Sequence, residues 1–511
     1  MLNKLDLKNF QFILLALLPL AFVVGPLIVE LIVNILNVIF LFNVFKNKNF
    51  GFLKSKLFIF LVLFFLILIL SLFQSNYFNE TKINVLFYFR FILFPFAVYE
   101  ILKTNSNYLK YLFISLMITV FIVSIDGYVQ FFYGKNLLGF EKYRVDRISG
   151  FFNDDLILGS YLSRVLFLLI GLTLYFKDNI KLNKISILII SFCVLLIFLT
   201  GERAAFLKTI FGLVIIFLVT NIRWSIKISS LAIFISSFLL VILINPIIFD
   251  RYINQLKSHI FQKDIKNGQY IFMSNYSPMF QTSLKMFNNS KIIGKGPKSY
   301  RYHCNDPEFK SFFLNRFKTV DNTILSIDLS WKNKGLIQVK EIFISKNDLI
   351  KKGDQLFSYS FLESQNTFIY QSDKEGIVKE IYEKNVYDKN DIFLRLDPQN
   401  LPDKEIFKIS ACNTHPHNFY FQLLAEVGLV GFVFVFSLFL YILFILIKNF
   451  VLLIKKSPKK KSDSELVLLI GFFLALWPLT TNGNFFNNWI NLINFYPLGI
   501  YFFLKKNSNN E

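Results

Sequence analysis

The chain has 511 residues, is 54% hydrophobic with 65 Phe, and carries a formal net charge of +21. Its apolar runs repeatedly reach the length of about 20 residues that a bilayer-spanning helix needs, which excludes a soluble globular class. The positive charge is spread over alternate short loops and not gathered on one face, which excludes a nucleic-acid binder.

Apolar runs near 11–24, 25–45, 57–73, 83–101, 111–130, 151–176, 185–200, 204–221, 228–246, 418–447, 465–480 and 489–504 predict about twelve spans. The first two form one stretch too long for a single crossing, and it divides at Gly25-Pro26 because proline interrupts the helix ladder. With the N-terminus inside, the tail, the loops 46–56, 102–110, 177–184, 222–227 and 448–464, and the C-terminal end together hold 21 Lys+Arg; the opposite short loops hold 6. This asymmetry predicts cytoplasmic N- and C-termini. The first span can target the chain without a cleavable signal.

Residues 1–246 are thus read as a membrane domain of nine spans. The first part of a large outer loop follows at 247–318, a β-rich insert at 319–398, the loop's return at 399–416, and three further spans at 417–511. Of the three cysteines, Cys193 lies within a span as a small apolar packing residue. Cys304 and Cys412 lie near the two ends of the outer loop. In an oxidising compartment they would form a disulfide; in a reducing one they would be two free thiols.

The insert alternates apolar and polar residues between Gly and Asp turns, the texture of short strands. It holds an internal repeat, in which residues 339–357 are echoed by 378–394. Each half has too little apolar surface to fold alone, so two halves would clasp about a pseudo-twofold axis. The pattern resembles the biotinyl/lipoyl-like barrel-sandwich hybrid, with Gly376-Ile377-Val378 matching its usual strand. Carrier members bear a modified lysine between the halves, and residues 361–369 contain none, so a non-carrier insert is expected.

Candidate chemistry clusters where spans meet the outer loop. Arg203, at the mouth of the seventh and eighth spans, has a permanently charged donor fork suited to phosphate oxygens, or else snorkels or pairs with Glu202. Arg147, on the same face, makes a second cation, and two cations suit a diphosphate. Arg90 and Arg164 lie within spans; they either deepen an anionic site or satisfy structural partners such as Asp126. His415 and His417 flank Pro416 where the tenth span begins. No standard metal-ligand spacing is present, since His303 and Cys304 would have to complete the shell. A histidine near neutrality is suited to take a proton from an attacking hydroxyl, or fills an interface. Asn418 is placed to cap the helix. Nucleotide-binding fingerprints are absent, so neither cofactor nor metal is expected and the substrate must arrive already activated.

These residues resemble the bacterial O-antigen ligase and polymerase superfamily of integral membrane glycosyltransferases. Arg203 and Leu207 match its R-x3-L pattern, and His417 and Gly428 its H-x10-G pattern. Asp126 to Gln130, Arg147 to Asn153 and Gly294 to Pro297 also look like family blocks. The resemblance spans roughly 1–315 and 405–505. It implies an all-α polytopic fold of the lipid-dependent glycosyltransferase type with about twelve helices, in the bacterial inner membrane, under a large periplasmic loop. It further implies transfer of a finished glycan from undecaprenyl diphosphate to a sugar hydroxyl of lipid A-core. His417 would be the base, Arg203 and Arg147 would hold the diphosphate, and Arg301 would add a third cation. A polymerase would use the same donor and another lipid-linked glycan as acceptor. A polysaccharide flippase is the reading from another class, although the chain shows no clear repeat of its membrane halves and a transporter has no need of so large an outer loop.

Overall fold

The structure is a computed structural model that describes residues 4–105, 107–143, 146–222, 227–228, 239, 246–263, 270–272, 276–313, 325–328, 337–361, 367–372, 374–383, 386–387, 392–397 and 409–508. It divides into two compact units, one of residues 1–311 and 410–511, the other of residues 312–409.

The first unit is helical. Its helices are α1 (Lys4–Val24), α2 (Pro26–Asn47), α3 (Lys56–Phe73), α4 (Phe78–Leu86), α5 (Phe89–Thr104), α6 (Tyr108–Tyr133), α7 (Leu158–Tyr175), α8 (Ile180–Leu199), α9 (Arg203–Val219), α10 (Pro246–Tyr252), α11 (Asn254–Ile260), α12 (Ser277–Asn289), α13 (Tyr300–His303), α14 (Phe419–Ile454), α15 (Asp463–Ala475) and α16 (Asn488–Ser508). Among the described residues, eight stretches are long and apolar enough to cross a membrane, as befits a polytopic membrane protein. Three expected spans correspond to α9, α15 and α16, which are shorter or richer in polar residues than those eight. The ninth, 228–246, lies almost wholly outside the described residues.

Local chemistry explains where the helices start. Pro26 opens α2, where its missing N–H costs nothing. Ser55, Asn179 and Ser462 cap α3, α8 and α15 by accepting from the backbone N–H of Phe58, Leu182 and Glu465. The expected sixth span, 151–176, begins only at Leu158. The Glu202 carboxylate accepts from the N–H of Gly159 at 2.7 Å and of Ser160 at 3.1 Å, which fixes that first turn. The expected fourth span, 83–101, is likewise two helices, α4 and α5, joined through Phe87 and Tyr88.

α7 is the hub, with 72% of its span inside the protein, whereas α3 and α14 bury 28% of theirs. A helix that is apolar all round and enveloped by neighbours belongs in the bundle core, while α3 and α14 turn most of their apolar surface outward. α7 packs against α8 and α15, and α5 against α16.

The second unit is built from strands β1 (Leu325–Asp328), β2 (Ile337–Ile342), β3 (Leu349–Ile350), β4 (Gln355–Phe361), β5 (Thr367–Gln371), β6 (Gly376–Ile381), β7 (Val386–Tyr387) and β8 (Ile392–Asp397). They form two four-stranded sheets, ordered β7-β2-β4-β5 and β1-β8-β6-β3, with every pairing antiparallel. Each half of the sequence repeat gives its short strand to the other half's sheet: β3 pairs with β6, and β7 with β2. Phe357, Val378, Tyr387, Phe393, Leu394 and Leu396 are buried between the sheets. Residues 362–366, in the stretch where a carrier lysine would sit, lie outside the described residues.

Candidate active site

α14 organises the site from both ends of its first three turns. At its start, the Asn418 side-chain oxygen accepts from the N–H of Tyr420 at 2.9 Å and of Phe421 at 3.3 Å. The cap leaves His417 just outside the helix in the left-handed region, at φ 57°. A non-glycine residue holds that conformation only when its surroundings enforce it. Here the His417 carbonyl accepts from the N–H of Asn482 at 2.9 Å, and Asn482 in turn accepts from Lys208 Nζ at 2.8 Å.

The imidazole of His417 is half-buried. Its Nε2 lies 3.2 Å from Asn413 Nδ2, and Asn413 Oδ1 accepts from the N–H of Thr414 at 2.7 Å. That second bond sets the amide orientation, so Asn413 donates to His417 and Nε2 holds the lone pair. Burial shifts His417 below the usual histidine range. His415, with its ring centroid 4.3 Å away, is pushed down to about 3 by burial and by its neighbour His417, so the pair is neutral at physiological pH.

The expected phosphate ligands come into range through intermediaries. The Tyr276 ring lies 5.6 Å from that of His417 and within electrostatic reach of Arg203, which also feels Arg147 and Arg251. Arg147 donates to the Leu156 carbonyl at 2.8 Å and stands 3.9 Å from Glu202. Glu202, one alternative partner for Arg203, is engaged by Arg147 and the start of α7. Arg251 donates to the Gly201 carbonyl and pairs with Asp146 at 3.2 Å, holding the turn that precedes Arg203. Arg301 is exposed on α13, and its charge reaches His415 and Lys298.

One expectation needs correction. Among the described residues Asp126 pairs with neither Arg90 nor Arg164: it accepts from Leu137 N at 2.9 Å and Asn136 Nδ2 at 3.3 Å, and so organises the loop after α6. Arg90 instead makes a two-pronged pair with Glu30, both contacts 2.8 Å, and stacks over Phe91. Glu30 on α2 is the nearer acid, and the planar fork matches its carboxylate. Arg164 donates to the Ser160 carbonyl at 2.8 Å.

Gly428 acts far from His417, since eleven positions at 1.5 Å rise place it about 16 Å along the helix. Its φ of 68° and ψ of −166° break the ladder. The loop 291–296 fills the gap: Lys295 N and Gly296 N donate to the Ala425 and Glu426 carbonyls, while Leu429 N and Val430 N donate to the Lys291 and Ile292 carbonyls. The Glu426 carboxylate, fully buried, accepts from Lys298 N and Tyr300 N, each at 2.9 Å. The Gly294 to Pro297 block and Gly428 therefore meet as one joint, which carries Arg301.

Cys304 and Cys412 are disulfide-bonded, with Cα atoms 5.0 Å apart and a sequence separation of 108. The bond occupies one of the thiols that a metal shell would need, and His303 is turned to Asp306 at 2.8 Å. Among the described residues no three His, Cys, Asp or Glu side chains converge as metal ligands. Replacing either cysteine by serine is expected to destabilise the protein by about 2–5 kcal/mol. Thermal unfolding of purified protein checks this; an unchanged midpoint would contradict it.

Sequence reading missed Tyr276, Asn413, Lys208, Arg251 and Glu426. Lys208 and Glu426 carried a usable signal, a charge inside an apolar run.

The helical spans define a polytopic membrane protein. Residues 187–329 match the family model described as O-antigen ligase, and this match supports membership of the O-antigen ligase superfamily, whose members are glycosyltransferase-like enzymes. The match takes in Arg203, the glycine loop and Cys304, and it ends before His417. No curated protein matches the chain.

Proposed function

We propose that the protein is an O-antigen ligase-like glycosyltransferase, moving a preassembled glycan from undecaprenyl diphosphate to a sugar hydroxyl of lipid A-core. The observation that carries this reading is the half-buried His417, whose Nε2 accepts from Asn413 and whose ring lies beside Tyr276, which is itself within electrostatic reach of Arg203. An acceptor hydroxyl takes the place of Asn413 at Nε2 and gives up its proton there. Its oxygen bonds to the anomeric carbon as the bond from that carbon to the diphosphate oxygen breaks. Arg203, Arg147 and Arg301 hold the departing diphosphate and stabilise its growing charge. No metal or nucleotide takes part.

The site is assigned to the periplasmic face of the inner membrane, with both termini cytoplasmic. In support, α14 runs from His417 at one end to a lysine-rich loop at the other, Lys455 to Lys461. The β-rich unit is assigned a non-carrier role.

Gene deletion with analysis of surface lipopolysaccharide and lipid-linked intermediates tests the reading. Core without attached glycan, together with accumulated lipid-linked polymer, is the expected result. Core capped by single repeats would make the enzyme a polymerase, and intermediates held on the cytoplasmic leaflet would overturn both in favour of a flippase.

A further inference from the structure

One position beyond the R-x3-L pattern, α9 carries a charge on a different face from the pattern's leucine. Leu207 is 47% exposed, whereas Lys208 lines a cavity between α7, α9, α15 and the connection that follows α15. The cavity has a volume of about 70 Å³ and is polar, lined by Ser160, Ser163, Arg164, Lys208, Thr481 and Asn482 among others. On this measure one water needs about 10–15 Å³, so there is room for a few waters or one tetrahedral oxyanion.

The electrostatics favour the oxyanion. Arg164 and Lys208 come from facing helices, and each lies within the other's field. Neither makes an ion pair among the described residues. The acid whose charge reaches both is Glu202, and its oxygens already accept from Gly159 N, Ser160 N and Ser160 Oγ. Arg164 has committed one N–H to the Ser160 carbonyl and Lys208 one to Asn482. The Arg164 guanidinium also lies over the Trp489 ring at 5.9 Å, and among the described residues neither group makes a further hydrogen bond, so donors remain for a ligand. Two basic groups held together inside a membrane-spanning bundle disfavour each other's charge, and an anion between them offsets that repulsion.

We propose that Arg164 and Lys208 form a phosphate-binding subsite one turn below Arg203, with Lys208 also positioning His417 through Asn482. Naming the ligand as one phosphate of a lipid-linked diphosphate rests on the function proposed above; the pocket's preference for a phosphate group does not. Ala204, the residue after Arg203 in the first turn of α9, lines the same cavity.

The test uses purified full-length protein in nanodiscs and measures binding of inorganic phosphate, inorganic diphosphate and a polyprenyl diphosphate. Lys208→Gln removes the charge yet keeps a donor for Asn482. It is expected to weaken diphosphate binding about tenfold or more, Arg164→Gln to do likewise, and Lys208→Arg to stay within a few-fold of wild type. Should Arg164→Gln fail to fold, Lys208→Gln decides alone. Polyprenyl diphosphate binding that Lys208→Gln weakens assigns the pocket to the lipid-linked donor. The same loss with the inorganic probes alone assigns it to free phosphate. Wild-type protein that binds none of the probes, or charge-removed variants that bind as wild type, would overturn the subsite. Glycan transfer is scored separately: intact Lys208-dependent binding in a protein without transferase activity refutes the proposed function and leaves the subsite standing.

Discussion

His417→Ala is expected to lower glycan transfer by about 10²–10⁴-fold, the usual contribution of a positioned general base, without loss of folded protein. The expectation follows from where the imidazole sits. Its backbone is pinned by Asn482 and its Nε2 is oriented by Asn413, while the Asn418 cap that starts α14 does not depend on the ring. A purely structural histidine at an interface would show the reverse, a stability loss with little specific effect on rate. pH separates the two further. Burial lowers the pKa of His417, so the lone pair is present at neutral pH and persists below the ordinary histidine value of about 6.5. The rate should therefore stay level through the neutral range and fall only on acidification below that value, as protonation removes the base. Asn413→Asp places a carboxylate beside Nε2, favours the protonated ring, and should move this acid limb to higher pH. A pH profile that is identical in wild type and Asn413→Asp would count against His417 as the titrating base.

Gly428→Ala is the second large effect, and it should act through the fold. A φ of 68° with ψ near −166° is a region open essentially to glycine alone, and holding another residue there costs about 1–3 kcal/mol. Space adds to the strain. An added Cβ would lie 2.5 Å from the Ile292 carbonyl carbon and oxygen and 2.6 Å from Gly294 N, all backbone atoms that cannot rotate away. The joint between α14 and the loop 291–300 must therefore open, exposing Glu426 and releasing Arg301. A total loss of about 3 kcal/mol or more is expected, together with rapid proteolysis within residues 291–304 and loss of transfer. Gly134→Ala is the control: its φ of 81° is also positive, but nothing lies within 4 Å of the added Cβ, so only the strain remains. Equal stability of the two variants would show that close approach at Gly428 does not hold the joint.

The joint also shows what the sequence could and could not reveal. Spans were legible because apolar runs of bilayer length have few alternatives, and the break at Gly25-Pro26 follows from proline's missing donor. His417 and Arg203 were legible as patterns. The role of Gly428 was not, because H-x10-G reads as one motif on one helix, whereas the glycine serves a loop more than 130 positions earlier in the chain. Glu426 and Lys208 are charges inside apolar runs, as Arg90 and Arg164 are, and so carried the same signal. Which acid answers Arg90 could not be read at all, since the pairing of α2 with α5 that brings Glu30 to it is a tertiary choice. The repeat in the second unit gave the two halves, but which half supplies which short strand is settled only by pairing across them.

The most direct measurement reconstitutes the purified protein in liposomes with an undecaprenyl-diphosphate-linked glycan and lipid A-core, with no nucleotide and with a chelator present. Wild-type protein is expected to form a glycan joined to lipid A-core, and His417→Ala to lose that product. Absence of the product, its dependence on added metal, or its formation at the wild-type rate by His417→Ala would rule out His417 as the base of a metal-independent transfer.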